Sequence, residues 1–181
     1  MKKISIITPC FNEELNVELL YNRVKDQFEK LEDYSYEHIF IDNASEDRTV
    51  EILKEIASKD NNVKIIVNSR NFGWIRSSQH GLLQGSGDAT MFMVADLQDP
   101  PELIPEFIEK WQQGNELVIG VKNESAESPL MFMIRKSYYS IVARLSETKL
   151  EKTSMASVFM TKRLLIFLKQ FQTRTLICAD C

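Results

Sequence analysis

The chain has little of what several function classes would require. Of its 181 residues only three are cysteine (Cys10, Cys178 and Cys181) and two are histidine (His38 and His80). A disulfide scaffold is excluded on that count. The C-x-x-C spacing at 178–181 has no second ligand pair to close a zinc site, so ordinary cytosolic thiols are expected there. Glycine is scarce, at six. Neither G-x-G-x-x-G nor G-x-x-x-x-G-K-[ST] follows the first apolar run, which excludes a dinucleotide dehydrogenase and a P-loop NTPase. No apolar run reaches the ~18 residues of a membrane span. Ile4–Pro9 is too short for the apolar region of a secretory signal, so a cytoplasmic chain is expected. The net charge of −4 carries no positive excess, and a general nucleic-acid binder is not expected.

What is present suits one soluble domain with a real core: 44% hydrophobic and 27% charged residues. Strand and helix patterns alternate along it. Lys3–Thr8 is a β-branched run, and Glu14–Leu31 repeats apolar residues at helical spacing through Val17, Leu20, Val24 and Phe28. His38–Ile41 predicts a second strand ending at Asp42. A helix is expected to start at Asn43 or Ser45 and to bury Val50, Leu53 and Ile56. Val63–Val67 predicts a strand, Ile75–Leu83 a helix, and Ala89–Ala95 a buried central strand. Asp99-Pro-Pro-Glu reads as a capping box with Asp99 as cap and Glu102 answering it, opening a helix that closes at Gly114. Glu116–Val121 is the fifth strand, and 122–128 a polar loop. Such alternation predicts an α/β, doubly wound and mainly parallel sheet flanked by helices.

Ligands of such a sheet bind beyond the carboxyl ends of its strands. Those ends read Thr8-Pro-Cys-Phe-Asn-Glu, Asp42-Asn-Ala-Ser-Glu-Asp, Asn68-Ser-Arg-Asn-Phe-Gly and Ala95-Asp-Leu-Gln-Asp-Pro-Pro-Glu. In that order and spacing they resemble the family 2 glycosyltransferases, nearest the branch that transfers sugars to polyprenyl phosphates. The resemblance covers roughly residues 1–152. It implies a GT-A, Rossmann-like nucleotide-sugar-binding fold and inverting transfer from a UDP- or GDP-sugar to a polyprenyl phosphate or glycan at the cytoplasmic face of the membrane. It also implies Mg²⁺ or Mn²⁺, hard cations that take oxygen ligands and stabilise a departing diphosphate.

The resemblance assigns residues by position. Asp96 would bind the metal, and Gln98 would help hold the metal or the phosphates. Asp42 would face the base and ribose. Pro9, Phe11 and Glu13 match the first loop, with Phe11 packing on the base or serving as core, and Glu13 reaching the ribose. Asn71 and Gly73 match the third loop, Gly73 allowing close backbone approach. The family often has Lys after that glycine. Here Trp74 stands in its place, and Arg76 either contacts phosphate or is a surface arginine. Arg135 resembles an arginine near the acceptor phosphate. The family's Asp-x-Asp is Val94-Ala-Asp96 in this chain, and its usual Asp-Asp-Gly-Ser is Asp42-Asn-Ala-Ser. No catalytic base is identified.

After about Lys152 the family's glycine- and aromatic-rich acceptor segment is not visible. Read one base out of frame, ordinary codons for this stretch can encode Gly-Phe-Gly-Phe-Tyr-Asp. Residues 1–152 are therefore expected to be the catalytic core. Residues 153–181 are expected to be a non-family tail, a frameshift product that forms an improvised helix around Leu164, Leu165 and Phe167. Two readings stay open: a transferase, or a non-catalytic nucleotide-binding fragment. A homo-oligomer paired through the tail is also open.

Overall fold

The computed structural model describes residues 1–121 and 155–167. The expectations for Arg135, for the loop at 122–128 and for Cys178 and Cys181 lie outside them. The chain divides into two compact units, Met1–Val118 with Ser157–Cys181, and Ile119–Ala156. The site described below is built within the first.

Among the described residues strands and helices follow one another in eleven elements. Strand β1 (Lys2–Cys10) leads to helix α1 (Val17–Glu29), strand β2 (Tyr34–Asp42) to α2 (Thr49–Lys59), and strand β3 (Val63–Val67) to α3 (Trp74–Gln84). Strand β4 (Ala89–Phe92) is followed by a 3-10 turn (Pro101–Leu103), α4 (Ile104–Gln112), β5 (Leu117–Val121) and β6 (Met155–Thr161). The sheet order is β3-β2-β1-β4-β6-β5. β1 pairs in parallel with β2 and β4, β2 in parallel with β3, and β4 antiparallel with β6. The chain thus winds outward from β1 to β3, then returns to the other side of β1. The switch point of the topology falls between β1 and β4.

The periodicities explain the core. Val17, Leu20, Val24 and Phe28 all lie on the buried face of α1, as three- and four-residue spacing requires. Ile4, Ile6, Phe40 and Met91, from the three central strands, are fully buried.

The structure corrects four expectations. Helix α1 starts at Val17, not Glu14. Helix α2 starts at Thr49, because the two side chains expected to cap it bond elsewhere: Asn43 to the loop after β3, and Ser45 to Asn12 and Asp42. Strand β4 ends at Phe92, although Met93 and Ala95 stay buried beyond it. Asp99 caps nothing. It is buried and accepts a hydrogen bond from Ser157 Oγ of β6 at 3.0 Å, while Glu102 pairs with Arg23 of α1.

Strand β6 was not expected at all. It lies in the stretch expected to be foreign, yet takes an interior place beside β4 and puts Phe159 into the core at 1% exposure. One helical turn follows at 162–167, with Leu165 buried and Phe167 exposed.

Candidate donor-binding site

Four loops leave the carboxyl ends of β1 to β4, and each holds one residue in the left-handed backbone region: Asn12 (φ 57°), Ala44 (φ 64°), Gly73 (φ 83°) and Leu97 (φ 58°). Three of these are not glycine, and left-handed geometry costs an L-residue about 1–2 kcal/mol. Strain of that kind persists where the surroundings over-determine it. Here the surroundings are a lattice of side-chain hydrogen bonds.

Asn12 N–H donates to Ser45 Oγ (2.9 Å), and Asn12 Oδ1 accepts from Glu46 N–H (2.9 Å). Glu13 N–H donates to Thr49 Oγ1 (2.8 Å) and Glu14 N–H to Asp47 Oδ2 (3.1 Å). Asn43 then joins the second loop to the third. Its Nδ2 donates to Asn71 Oδ1 (2.8 Å), and its Oδ1 accepts from Phe72 N–H (3.0 Å) and Asn68 Nδ2 (3.2 Å). Asn71 Oδ1 also accepts from Gly73 N–H at 2.8 Å, which holds the backbone at the start of α3.

Between these loops, at the switch point, lies a cavity of about 250 Å³. Its apolar floor is Pro9, Cys10, Val94 and Ala95; Phe11 and Trp74 form aromatic walls; Asn43, Ser77, Glu13 and Asp96 are its polar groups. Phe11 is 44% exposed, so it is a wall and not core. Trp74 meets Phe92 edge to face at 5.8 Å. Glu13 Oε2 accepts from Asn16 Nδ2 at 2.7 Å. Asp96 is exposed, and its Oδ1 accepts from Gln98 N–H at 3.0 Å. Cys10 is a poor nucleophile here: burial first, and then Asp42, Glu13 and Asp47, push its thiol far above the ordinary range.

Pro9, Phe11, Glu13 and Asp96 were expected at this site from the sequence, and all four line the cavity. Asp42 at the end of β2, Asn71, Gly73 and Gln98 in the loops, and Arg76 in α3 lie nearby in sequence but do not line it. Asp42 is fully buried, and its carboxylate accepts from Ser45 N–H (2.9 Å) and from the Ser45 hydroxyl. Asn71 holds the third loop from behind. Gly73 has open space where a Cβ would stand, so its positive φ, not close approach, is what calls for glycine there. Arg76 is exposed on α3. Sequence reasoning missed Ser77, whose Oγ accepts from Asn68 Nδ2 at 3.1 Å. Its only signal was its place one turn into the helix after Gly73.

The donor set accommodates a hard divalent cation in a limited way. Among the described residues no three His, Cys, Asp or Glu side chains converge. Asp96 alone offers an exposed carboxylate at the cavity. An octahedral cation takes six oxygens, so it fits only if a phosphate-bearing ligand and water complete the shell.

The mainly parallel six-stranded sheet flanked by helices is the GT-A fold of solved glycosyltransferases. The family model described as glycosyl transferase family 2 matches residues 5–167. The chain belongs to glycosyl transferase family 2. It is 43% identical over 120 residues to the "Uncharacterized glycosyltransferase YkcC" of Bacillus subtilis, covering 66% of this chain and 37% of that protein. It is 36% identical over 151 residues to the "Prophage bactoprenol glucosyl transferase homolog" of Escherichia coli, covering 83% of this chain and 49% of that one. The solved mannosyltransferase PcManGT of Pyrobaculum calidifontis, in complex with GDP-Man and Mn²⁺, shares the fold at a TM-score of 0.63 and 19% identity, over 92% of this chain and 46% of that one. The chain spans about half the length, or less, of these relatives. The family match runs beyond the boundary expected at residue 152. Among the described residues no helix is long and apolar enough to cross a membrane.

Proposed function

We propose that this chain is the donor-binding part of an inverting glycosyltransferase that moves a sugar from a UDP- or GDP-sugar to a polyprenyl phosphate. The observation that carries the reading is the cavity at the β1/β4 switch point with Asp96 at its edge. A base fits between apolar floor and aromatic walls, where Asn43 and Ser77 offer hydrogen bonds. Asp96, with Gln98 beside it, would hold Mg²⁺ or Mn²⁺, and the ion supplies a Lewis acid for the leaving diphosphate. Glu13 would bond a ribose hydroxyl; Arg70 and Arg76 stand three residues either side of Gly73 and neither lines the cavity, so no donor contact is assigned to them. Asp42 is assigned the shaping of its loop through Ser45. The acceptor class is supported by the bactoprenol glucosyl transferase name of the relative. A lipid phosphate is already ionised and needs little general-base help, whereas a glycan hydroxyl would need a base. Calorimetry with UDP and GDP, with and without each metal, on the parent chain and Asp96→Ala tests the reading.

A second reading, a nucleotide-binding module without turnover, is favoured by one observation: Asp96 alone offers an exposed carboxylate at the cavity. Sugar transfer to a polyprenyl phosphate by the 181-residue chain would end it.

We further infer that residues 155–167 belong to the transferase core. The family match to residue 167 and the buried Phe159 in an interior strand support this over an out-of-frame origin. An out-of-frame peptide has no reason to supply a strand that fits a sheet. Phe159→Ala should then cost about 3–5 kcal/mol of stability in chemical denaturation. An unchanged midpoint would return the segment to the status of a passive tail.

A further inference from the structure

Helix α3 is built inside out. A surface helix ordinarily buries its large apolar side chains. Here Ser77, Ser78 and Gly81 face inward, while Trp74 is 55% and Ile75 69% exposed, with Phe72 just before them at 38%. The arrangement is fixed by packing. A Cβ on Gly81 would lie 2.9 Å from the Cγ2 atoms of both Ile41 and Ile7. The helix therefore rests on the sheet through its glycine and cannot roll to bury the other face. Single exposed apolar residues are ordinary, but a cluster of three at one loop tip marks an interaction surface.

Charge identifies the partner. The chain holds 26 acidic residues, yet residues 61–87 contain Lys64, Arg70 and Arg76 and not one Asp or Glu. The Arg70 guanidinium stacks 4.8 Å over the Phe72 ring. Neither Arg70 nor Arg76 pairs with a carboxylate among the described residues. Tryptophan, aliphatic and arginine side chains at one tip are the composition that seats in the headgroup region of an anionic bilayer. A second copy fits less well, because a two-fold interface would set this basic tip against itself with no carboxylate from residues 61–87 to answer it.

We propose that the tip Arg70–Arg76 is a membrane-docking site. Phe72, Trp74 and Ile75 enter the interface, and Arg70 and Arg76 sit on lipid phosphates. Since Trp74 also lines the donor cavity, docking would bring that cavity to the headgroup layer where a lipid-linked phosphate resides. Only this last step rests on the acceptor reading above.

The test uses the full chain carrying Trp111→Phe, so that of its two tryptophans only Trp74 reports. Vesicles of phosphatidylcholine with and without phosphatidylglycerol are compared, with soluble glycerol phosphate as the headgroup control. Flotation with the anionic vesicles and a blue-shifted Trp74 emission are expected, with no shift from glycerol phosphate. Ile75→Glu should weaken partition at least about tenfold and Arg70→Gln about fivefold, with thermal melting and UDP binding unchanged in both. Unmoved emission on anionic vesicles, or Ile75→Glu floating like its parent, overturns the proposal. So does a dimer in sedimentation velocity that Ile75→Glu dissociates and vesicles do not. UDP binding in the same samples separates the two claims: its loss with flotation intact would count against the donor reading alone.

Discussion

The two ends of the sheet use their polar groups in opposite ways. Near the amino ends of the strands one buried carboxylate gathers the polar groups around it. Glu37 of β2 is 1% exposed. It accepts from Ser5 Oγ (2.6 Å), Ser86 N–H (2.7 Å) and Oγ (2.8 Å), Lys64 Nζ (2.6 Å) and Lys3 Nζ (3.0 Å). Burial works to raise its pKa, and hydrogen bonds from Lys64, Ser5 and Ser86 outweigh it, leaving the carboxyl well below its ordinary range. At the carboxyl ends, Asp96 and Glu13 face a cavity, two aromatic walls stand half open, and the backbone is strained in three of the four loops. One end closes the fold. The other holds surface open for a ligand, and the hydrogen bonds there fix loop shape rather than consume the groups at the cavity.

Removing the centre of the closed end should have the largest effect. Glu37→Ala strands Ser5 and Ser86 and should cost about 3 kcal/mol of unfolding free energy, with UDP affinity of the folded fraction unchanged. Urea denaturation and calorimetry read the two separately. A loss of affinity as large as the loss of stability would dissolve the distinction between the ends.

His38, midway along β2, carries a pH-dependent effect that is the smaller of the two near neutral pH. It is fully buried, with Nε2 3.0 Å from Thr8 Oγ1. Burial lowers its pKa to about 3, against about 6.5 in an unfolded chain. Between these values the unfolded chain binds a proton that the folded chain refuses. Stability should therefore fall as pH drops through that window, by at most about 1.4 kcal/mol per pH unit. His38→Leu should flatten that slope down to the range where carboxylates begin to protonate. An unaltered slope would place the acid sensitivity elsewhere.

The smallest effect belongs to the open end. Ala44 sits at φ 64°, in the place of the family's usual glycine. Ala44→Gly should relieve strain and stabilise the chain by about 1 kcal/mol without changing nucleotide binding. Destabilisation would mean that the alanine methyl packs in a way that outweighs the strain.

Much of this was legible in sequence. Strand β3 has the bounds its apolar run suggests, and the buried stripe of α1 follows from residue spacing; in α2 Leu53 and Ile56 are buried as spacing predicts, while Val50 is half-buried and Thr49 faces inward instead. The four polar strand ends converge because parallel strands place like ends together. Single residues were less legible where a partner lies far along the chain. Asp99 reads as a helix cap from its neighbours Pro100 and Glu102, but its hydrogen bond goes to Ser157, across 58 positions. Asn43 reads as a cap for the same reason, while its amide works between loops. Strand β6 was hidden because Met-Ala-Ser-Val-Phe-Met-Thr shows no alternation, as is usual for a strand covered on both faces. Motif positions show which loop a residue occupies. They do not show that Asp42 turns inward to Ser45 while Glu13 turns to the cavity.

The central claim is that the switch-point cavity holds a nucleoside diphosphate through a metal bound at Asp96. Titration calorimetry of UDP and GDP into the chain, with Mn²⁺ and with chelator, tests it most directly. The account predicts binding that requires the metal, and loss of that requirement together with at least about tenfold of the affinity in Asp96→Ala, a charged interaction of about 1.5–3 kcal/mol. Nucleotide binding of equal strength with chelator, unchanged by Asp96→Ala, would contradict it.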